Sequence, residues 1–296
     1  MILIDDLTRR RQDTSAQSDS VYPCQRAVSS KVTKAAHKGT RMENSMRSPY
    51  FIFLLSFFVL WLSARIGAAF RTRQPLDDGM RHDLDVVVAA SLTLLGLIIG
   101  FSFSMATDRY DQRKNCEEAE ANAIGTEYVR ADLLPAADAA RVRALLVQYL
   151  DQRVLFYKTH NEDELRHVND ATAQLQTELW SAVTAPAVAP QPTPVMALAV
   201  SGMNDVLNTQ GYTQAAWWNR IPMAAWVMMM LIAISANLMF GYGARRAKAG
   251  AIHVLILPIV LAIALFLIAD IDSPRRGVIR VNPQNLTSLA QSLHAH

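Results

Sequence analysis

The stretch that decides the fold is VVVAASLTLLGLIIGFSFSMATDRYDQRKNCEEAEANAI, residues 86–124. Its first part, Val86–Ala106, contains no charged residue. A helix crossing the ~30 Å hydrocarbon core at ~1.5 Å per residue needs about 20 mostly apolar residues, so this run reads as a membrane span. The part that follows is rich in Glu, Ala, Arg and Gln, all good helix formers, and no proline occurs before Pro135. Span and polar stretch therefore predict one continuous rod that leaves the membrane and reaches Leu134, ~75 Å from Leu84 at the helical rise.

Three further windows meet the same length requirement: Tyr50–Phe70, Pro222–Gly243 and Ile252–Ala269. Pro222 opens its span where a missing N–H costs little, whereas Pro258 lies inside the last one and predicts a kink. The first window has a competing reading. Arg47, the apolar run Tyr50–Leu62 and Ser63-Ala64 also fit a signal peptide beginning at Met46, but apolar character resumes over Ile66–Phe70, beyond the ~7 to 15 residues of a signal core. A span is the better reading. Residues 1–45 are polar and aperiodic and read as a disordered tail, with Met42 and Met46 as alternative starts.

The overall composition, 51% hydrophobic and 19% charged, excludes a disordered chain. Net charge is +3 but unevenly spread. Residues 107–219 hold nine basic and fifteen acidic side chains, while 220–296 hold seven basic and two acidic. Basic residues flank the apolar windows and form no stripe interleaved with aromatics, which suits a bilayer and gives no sign of nucleic acid binding. Four spans place both termini and the 107–219 segment on one side. The balance of Arg and Lys near the span ends makes that side the expected cytoplasmic one, and the chain reads as a multi-pass membrane protein.

Between spans two and three the expectation is a helical domain. A second helix begins at Ala136 with Val142, Leu145, Leu146, Tyr149 and Leu150 on one stripe. A third carries Leu165, Val168, Thr172, Leu175 and Leu179 at alternating steps of three and four, a heptad seam. Thr184–Pro194 reads as a linker, and Val195–Trp218 as a helix interrupted at Gly211. With no strand-like alternation anywhere, the fold class is all-α: a four-span membrane protein with an extramembrane helical domain between spans two and three.

The search for chemistry is negative. The sequence has no phosphate loop, no nucleophile elbow and no Cys or His pair at zinc spacing. Glu164 and His167 form a single E-x-x-H pair, whereas a di-iron bundle needs two such pairs and two further glutamates. No enzyme, cofactor or metal is expected. Four features remain. Arg65 sits ~22 Å along the first span from Tyr50 and reads as a snorkelling interface residue, or, if it faces the bundle interior, as part of an ion path. Asp270 and Asp272 leave the fourth span ahead of Pro274-Arg275-Arg276-Gly277, as charges at a turn or as partners of Arg109 or Arg113. Arg109, Asp111, Glu118, Asn122, Arg130 and Asp132 are assigned to a structural polar network that orders the rod against Asp270–Arg280. Leu95, Ile99 and Phe103 recur at steps of four on span two and read as lipid or core contacts, or as a constriction that gates by dewetting.

Two segments, GFSFSMATDRYDQRKNCEEAEANAIGTEYVRADLLP from Gly100 and DIDSPRRGVIR from Asp270, resemble the signatures of the bacterial bestrophin-like membrane proteins. The likeness covers about residues 50–293. It rests on Arg109-Tyr110-Asp111, Glu120 to Gly125, Arg130, Asp132-Leu133-Leu134, Asp270, Asp272, Pro274, Arg275, Gly277 and Arg280. Bestrophins proper are pentameric anion channels with four spans per subunit and a pore lined by the second. The resemblance thus implies a homo-oligomer of the bacterial inner membrane passing small anions, with Leu95, Ile99 and Phe103 as neck candidates. No acidic run of the calcium-clasp type follows the last span, so calcium gating is not implied. The rival reading is a non-conducting scaffold or sensor that docks a partner through the heptad seam and the acidic surface of its helical domain.

Overall fold

The computed structural model describes residues 49–71, 78–187, 194–243 and 251–295. The expected disordered tail, most of the linker and the short loops after spans one and three lie outside the described residues. The elements are α1 (Pro49–Arg71), α2 (Asp78–Arg130), a 3₁₀ turn (Ala131–Leu133), α3 (Ala136–Lys158), α4 (Glu162–Ala187), α5 (Met196–Trp218), α6 (Met223–Gly243), α7 (Ala251–Asp272) and α8 (Gln284–His294). Among the described residues there is no strand, and α1, α2, α6 and α7 are long and apolar enough to cross a membrane. The described chain divides into two compact units: residues 49–110 with 220–280, and residues 111–219 with 281–295.

In the membrane unit α1 packs along α6 and α7. Lipid tails are as apolar as Leu, so helices here associate by close van der Waals packing and interhelical hydrogen bonds rather than by the hydrophobic effect. The sequence supplies both. A Cβ at Gly67 would fall on the Leu238 carbonyl, and one at Gly241 on the Ala64 carbonyl, so the two backbones touch where no larger residue fits. Ser63 Oγ donates to the Ile234 carbonyl across the same interface at 2.7 Å. Leu60, Leu95, Ala233 and Leu261 form one buried cluster. Ala106, Ile221, Met229, Leu265, Ile268 and Ile271 form another. Helix α7 runs through Pro258 without a break.

In the second unit α3 packs on α4, α4 on α5, and α8 on α3. Val142, Leu145, Leu146, Tyr149 and Leu150 of α3 are all buried. Each such side chain withdrawn from water contributes about 1.5–3 kcal/mol. The heptad seam of α4 turns inward, with Val168, Thr172 and Leu179 buried and Leu165 and Leu175 half-buried, so it is used within the unit. Helix α2 ends at Arg130 and tightens into the 3₁₀ turn, closed by Leu134 N–H to the Ala131 carbonyl at 3.0 Å, because Pro135 disfavours helical backbone at Leu134.

Two expectations need correction. Helix α5 is uninterrupted at Gly211, whose helix-interior cost of about 1 kcal/mol is outweighed by the buried row Ala199, Met203, Val206, Thr213 and Ala216. Helix α4 continues past Thr184 to Ala187, since Ala182, Val183 and Pro186 are buried and hold its last turn. Beyond the last span the chain forms helix α8, anchored by the buried Leu286.

Candidate functional site

Helix α2 presents two different faces in the membrane unit. Leu95 is 1% exposed and packs with Leu60 of α1, Ala233 of α6 and Leu261 of α7. Ile99, one turn on, is half-buried against both membrane-unit clusters. Of the stripe Leu95, Ile99 and Phe103, only Phe103 is exposed, at 39%. The reason is geometric: α1, α6 and α7 gather on the Leu95 side, and a side chain inside a subunit core cannot also face water. The open side of the same helix carries Thr93, Leu97, Phe101 and Ser104, with Leu97 55% and Phe101 65% exposed. Gly96 and Gly100 lie among them with open space where a Cβ would be. Beyond Phe101 the first charge is the exposed Asp108, whereas the neighbouring Arg109 is half-buried and turns to Asp272 at 3.7 Å.

The other expected residues fall into separate pieces. Arg65 is exposed and lies over the Trp61 ring at 5.9 Å, a cation held by an aromatic one turn earlier. Asp270 is buried and accepts from Val278 N–H at 2.7 Å and Ile279 N–H at 2.8 Å, while Gly277 approaches the Asp270 backbone too closely for any side chain. Arg280 Nε donates to the Gly277 carbonyl at 2.5 Å, and Arg275 is half-buried in the turn. Asp272, besides Arg109, accepts from Ile221 N–H at 3.1 Å. Both aspartates therefore clamp backbone N–H groups at the end of α7.

In the second unit Asp111, Glu118 and Asn122 are exposed. Asp132 pairs with Arg143 of α3 at 2.5 Å, and Arg130 stands one turn from Glu127. Arg113 is buried and caps the end of α5, donating to the carbonyls of Ala216 at 3.3 Å and Asn219 at 3.2 Å.

What the sequence reading missed is the buried face of α2 beyond the membrane unit, which is charged. Glu120 and Arg153 form an ion pair with no solvent exposure, and Thr213 Oγ1 donates to Glu120 at 3.1 Å. The Phe156 ring lies 4.4 Å beneath the guanidinium and packs edge-on with Tyr157 and Trp217. Burial works against the charged guanidinium, yet Glu120 beside it holds Arg153 above its ordinary range. Burial, then Glu120, pushes the Tyr149 and Tyr157 hydroxyls up. Glu117 is buried and accepts from Leu286 N–H at 2.9 Å and Asn285 Nδ2 at 2.7 Å, capping α8; desolvation raises its pKa. Glu127 is buried with neither carboxylate oxygen hydrogen-bonded. The signal available was spacing alone: Arg113, Glu117, Glu120, Ile124, Glu127 and Ala131 recur at steps of three and four, a core-facing stripe written mostly in charges. Among the described residues no group of three His, Cys, Asp or Glu side chains is placed to hold a metal.

No curated protein matches the sequence closely enough to count as a relative. Among solved structures the chain is similar to a bacterial bestrophin homologue from Klebsiella pneumoniae, carrying a leucine-to-threonine substitution, with TM-score 0.57 and 14% identity over 83% of this chain and 98% of that one. The same homologue solved by zinc anomalous phasing gives TM-score 0.57 and 14% identity over 83% of this chain and 97% of that one. A membrane protein with a glycine-to-alanine substitution gives 0.58 and 13% over the same shares. At these identities the likeness is one of fold. The profile of the Bestrophin-like domain matches residues 50–286, most of the chain. By that match and the four spans described above, this chain belongs to the bestrophin-like membrane proteins.

Proposed function

We propose that the chain assembles with further copies of itself into an ion channel of the bacterial inner membrane, with the open face of α2 turned to a common axis. The resemblance implies small anions as the permeant species. The observation that carries the reading is the face itself. Thr93, Gly96, Gly100 and Ser104 interleave with Leu97 and Phe101 on the side of α2 that, among the described residues, no helix of the subunit covers. A purely lipid-facing helix gains nothing from small and hydroxylated residues there, whereas a pore needs backbone close to the axis with an apolar constriction that gates by dewetting. Leu97 and Phe101 take the neck role in this reading, in place of Leu95 and Ile99. The 107–219 segment lies on the cytoplasmic side in this reading, by the Arg and Lys residues near the span ends. Chemistry on a substrate is no part of this reading. The rival scaffold reading keeps the acidic surface of the 107–219 segment, but its other docking element, the α4 seam, has Val168, Thr172 and Leu179 buried within the unit.

The test is single-channel recording of the detergent-purified protein in planar bilayers under an asymmetric chloride gradient. Leu97→Ala/Phe101→Ala should raise conductance, and Leu95→Ala/Ile99→Ala should lower thermal stability without doing so. Electrical silence from wild type and both variants, in folded and oligomeric protein, would sink the channel reading in favour of the scaffold.

A further inference from the structure

Glu127 is the one carboxylate of the buried α2 face that the fold leaves without a donor. Glu117 has a helix N-terminus and Glu120 has Arg153, but both Glu127 oxygens lack hydrogen bonds and the side chain has no solvent exposure. Its carboxylate points at Gly202 of α5, where a Cβ would fall on Oε2 and press on the Arg130 guanidinium. A side chain at Gly202 would therefore have to push aside the ends of the Glu127 and Arg130 side chains, so the glycine leaves room for the acid against α5. The charged groups near Glu127 are Arg130, one turn along the same helix, and Asp205, one turn along α5. The 3₁₀ turn that packs on α5 adds Asp132, which Arg143 already engages.

An ionised carboxylate sealed in without donors is strongly unfavourable, whereas the protonated acid is a neutral group of modest cost. We propose that Glu127 and Gly202 form a proton-controlled joint between α2 and the N-terminal half of α5, closed around a neutral carboxyl and opened with release of its proton. Desolvation, partly offset by Arg130 and reinforced by Asp205, moves the Glu127 pKa up to about 8 in the closed joint. Once the joint opens, the acid returns to the ordinary carboxylate range. Between those two values the closed form holds the extra proton, so closure is most stable at low pH and weakens by about tenfold per pH unit until the pH passes about 8, where it levels off.

Hydrogen–deuterium exchange on the intact detergent-purified protein tests this, read as protection factors so that the intrinsic pH dependence of exchange divides out. Amides of Ala199–Val206 in α5 should lose protection by up to about a hundredfold between pH 5.5 and 7.5, while the α3 amides Val142–Leu150 stay constant. Glu127→Gln, a neutral isostere of the acid, should hold α5 protection flat across the range. Arg130→Gln, at a half-buried position, removes the nearby cation and, with the series extended to about pH 9.5, should move the levelling-off to higher pH. Identical profiles in wild type and Glu127→Gln overturn the proposal, as does a loss shared equally by α3 and α5. Should Glu127→Gln not fold, an unshifted profile in Arg130→Gln overturns it in its place.

Discussion

Arg153 and Glu120 touch with neither side chain exposed: the guanidinium Nε and Nη2 both donate to the carboxylate, joining α3 to α2 in the centre of the second unit. Removing either partner leaves a buried charge uncompensated, which costs about 3–5 kcal/mol. Arg153→Met and Glu120→Gln should each lower the melting temperature of the detergent-solubilised protein sharply. The double variant should be milder than the sum of the two, because it removes both charges. Additive losses would show that the pair is not coupled.

The cap on α8 makes a local prediction. Glu117 accepts from the Leu286 N–H and the Asn285 amide, charge-assisted bonds at the first turn of a helix. Glu117→Ala should cost about 1–2 kcal/mol. Exchange of the α8 amides should speed roughly tenfold while the α3 amides stay protected. Unchanged exchange over residues 286–294 would mean that the buried Leu286, not the Glu117 cap, seats the helix.

A third prediction separates two glycines of the membrane unit. Gly241→Ala places a methyl group on the Ala64 carbonyl and must push α6 off α1, so it should lower thermal stability and the yield of folded protein. Gly100→Ala meets open space and should leave the melting temperature within about a degree, helped by the better helix propensity of Ala. Equal destabilisation by both would contradict the close α1–α6 contact.

The spans were legible because lipid imposes a length and a composition that few other segments share, and α1, α2, α6 and α7 carry them openly. Which side of α2 faces the subunit was not legible. Leu95 and Leu97 are the same residue type two positions apart, one buried and one exposed, and only the placement of α1, α6 and α7 decides between them. The same limit hid the second unit's core. Glu120 and Glu118 read alike in sequence, yet one meets Arg153 in the interior and the other faces outward. On this helix charge marks both faces. The α4 seam was visible by its heptad spacing, but a seam does not reveal its partner, which proved to lie within the unit.

The open face of α2 gives the last prediction, which rests on the channel reading. Past Phe101 that face meets Asp108, while the adjacent base Arg109 turns away to Asp272. An exposed carboxylate repeated around an axis concentrates cations and repels anions at a pore mouth, over a Debye length of ~8–10 Å at ordinary salt. If small anions are the permeant species, Asp108 works against them. Asp108→Lys should therefore raise chloride current and move the reversal potential toward the chloride equilibrium value, with the shift shrinking as salt rises to about 1 M. Asp108→Asn should give an intermediate result. A reversal potential that ignores both substitutions would place Asp108 off the conduction path, and the open face of α2 would then have to meet lipid or a neighbouring subunit at that level.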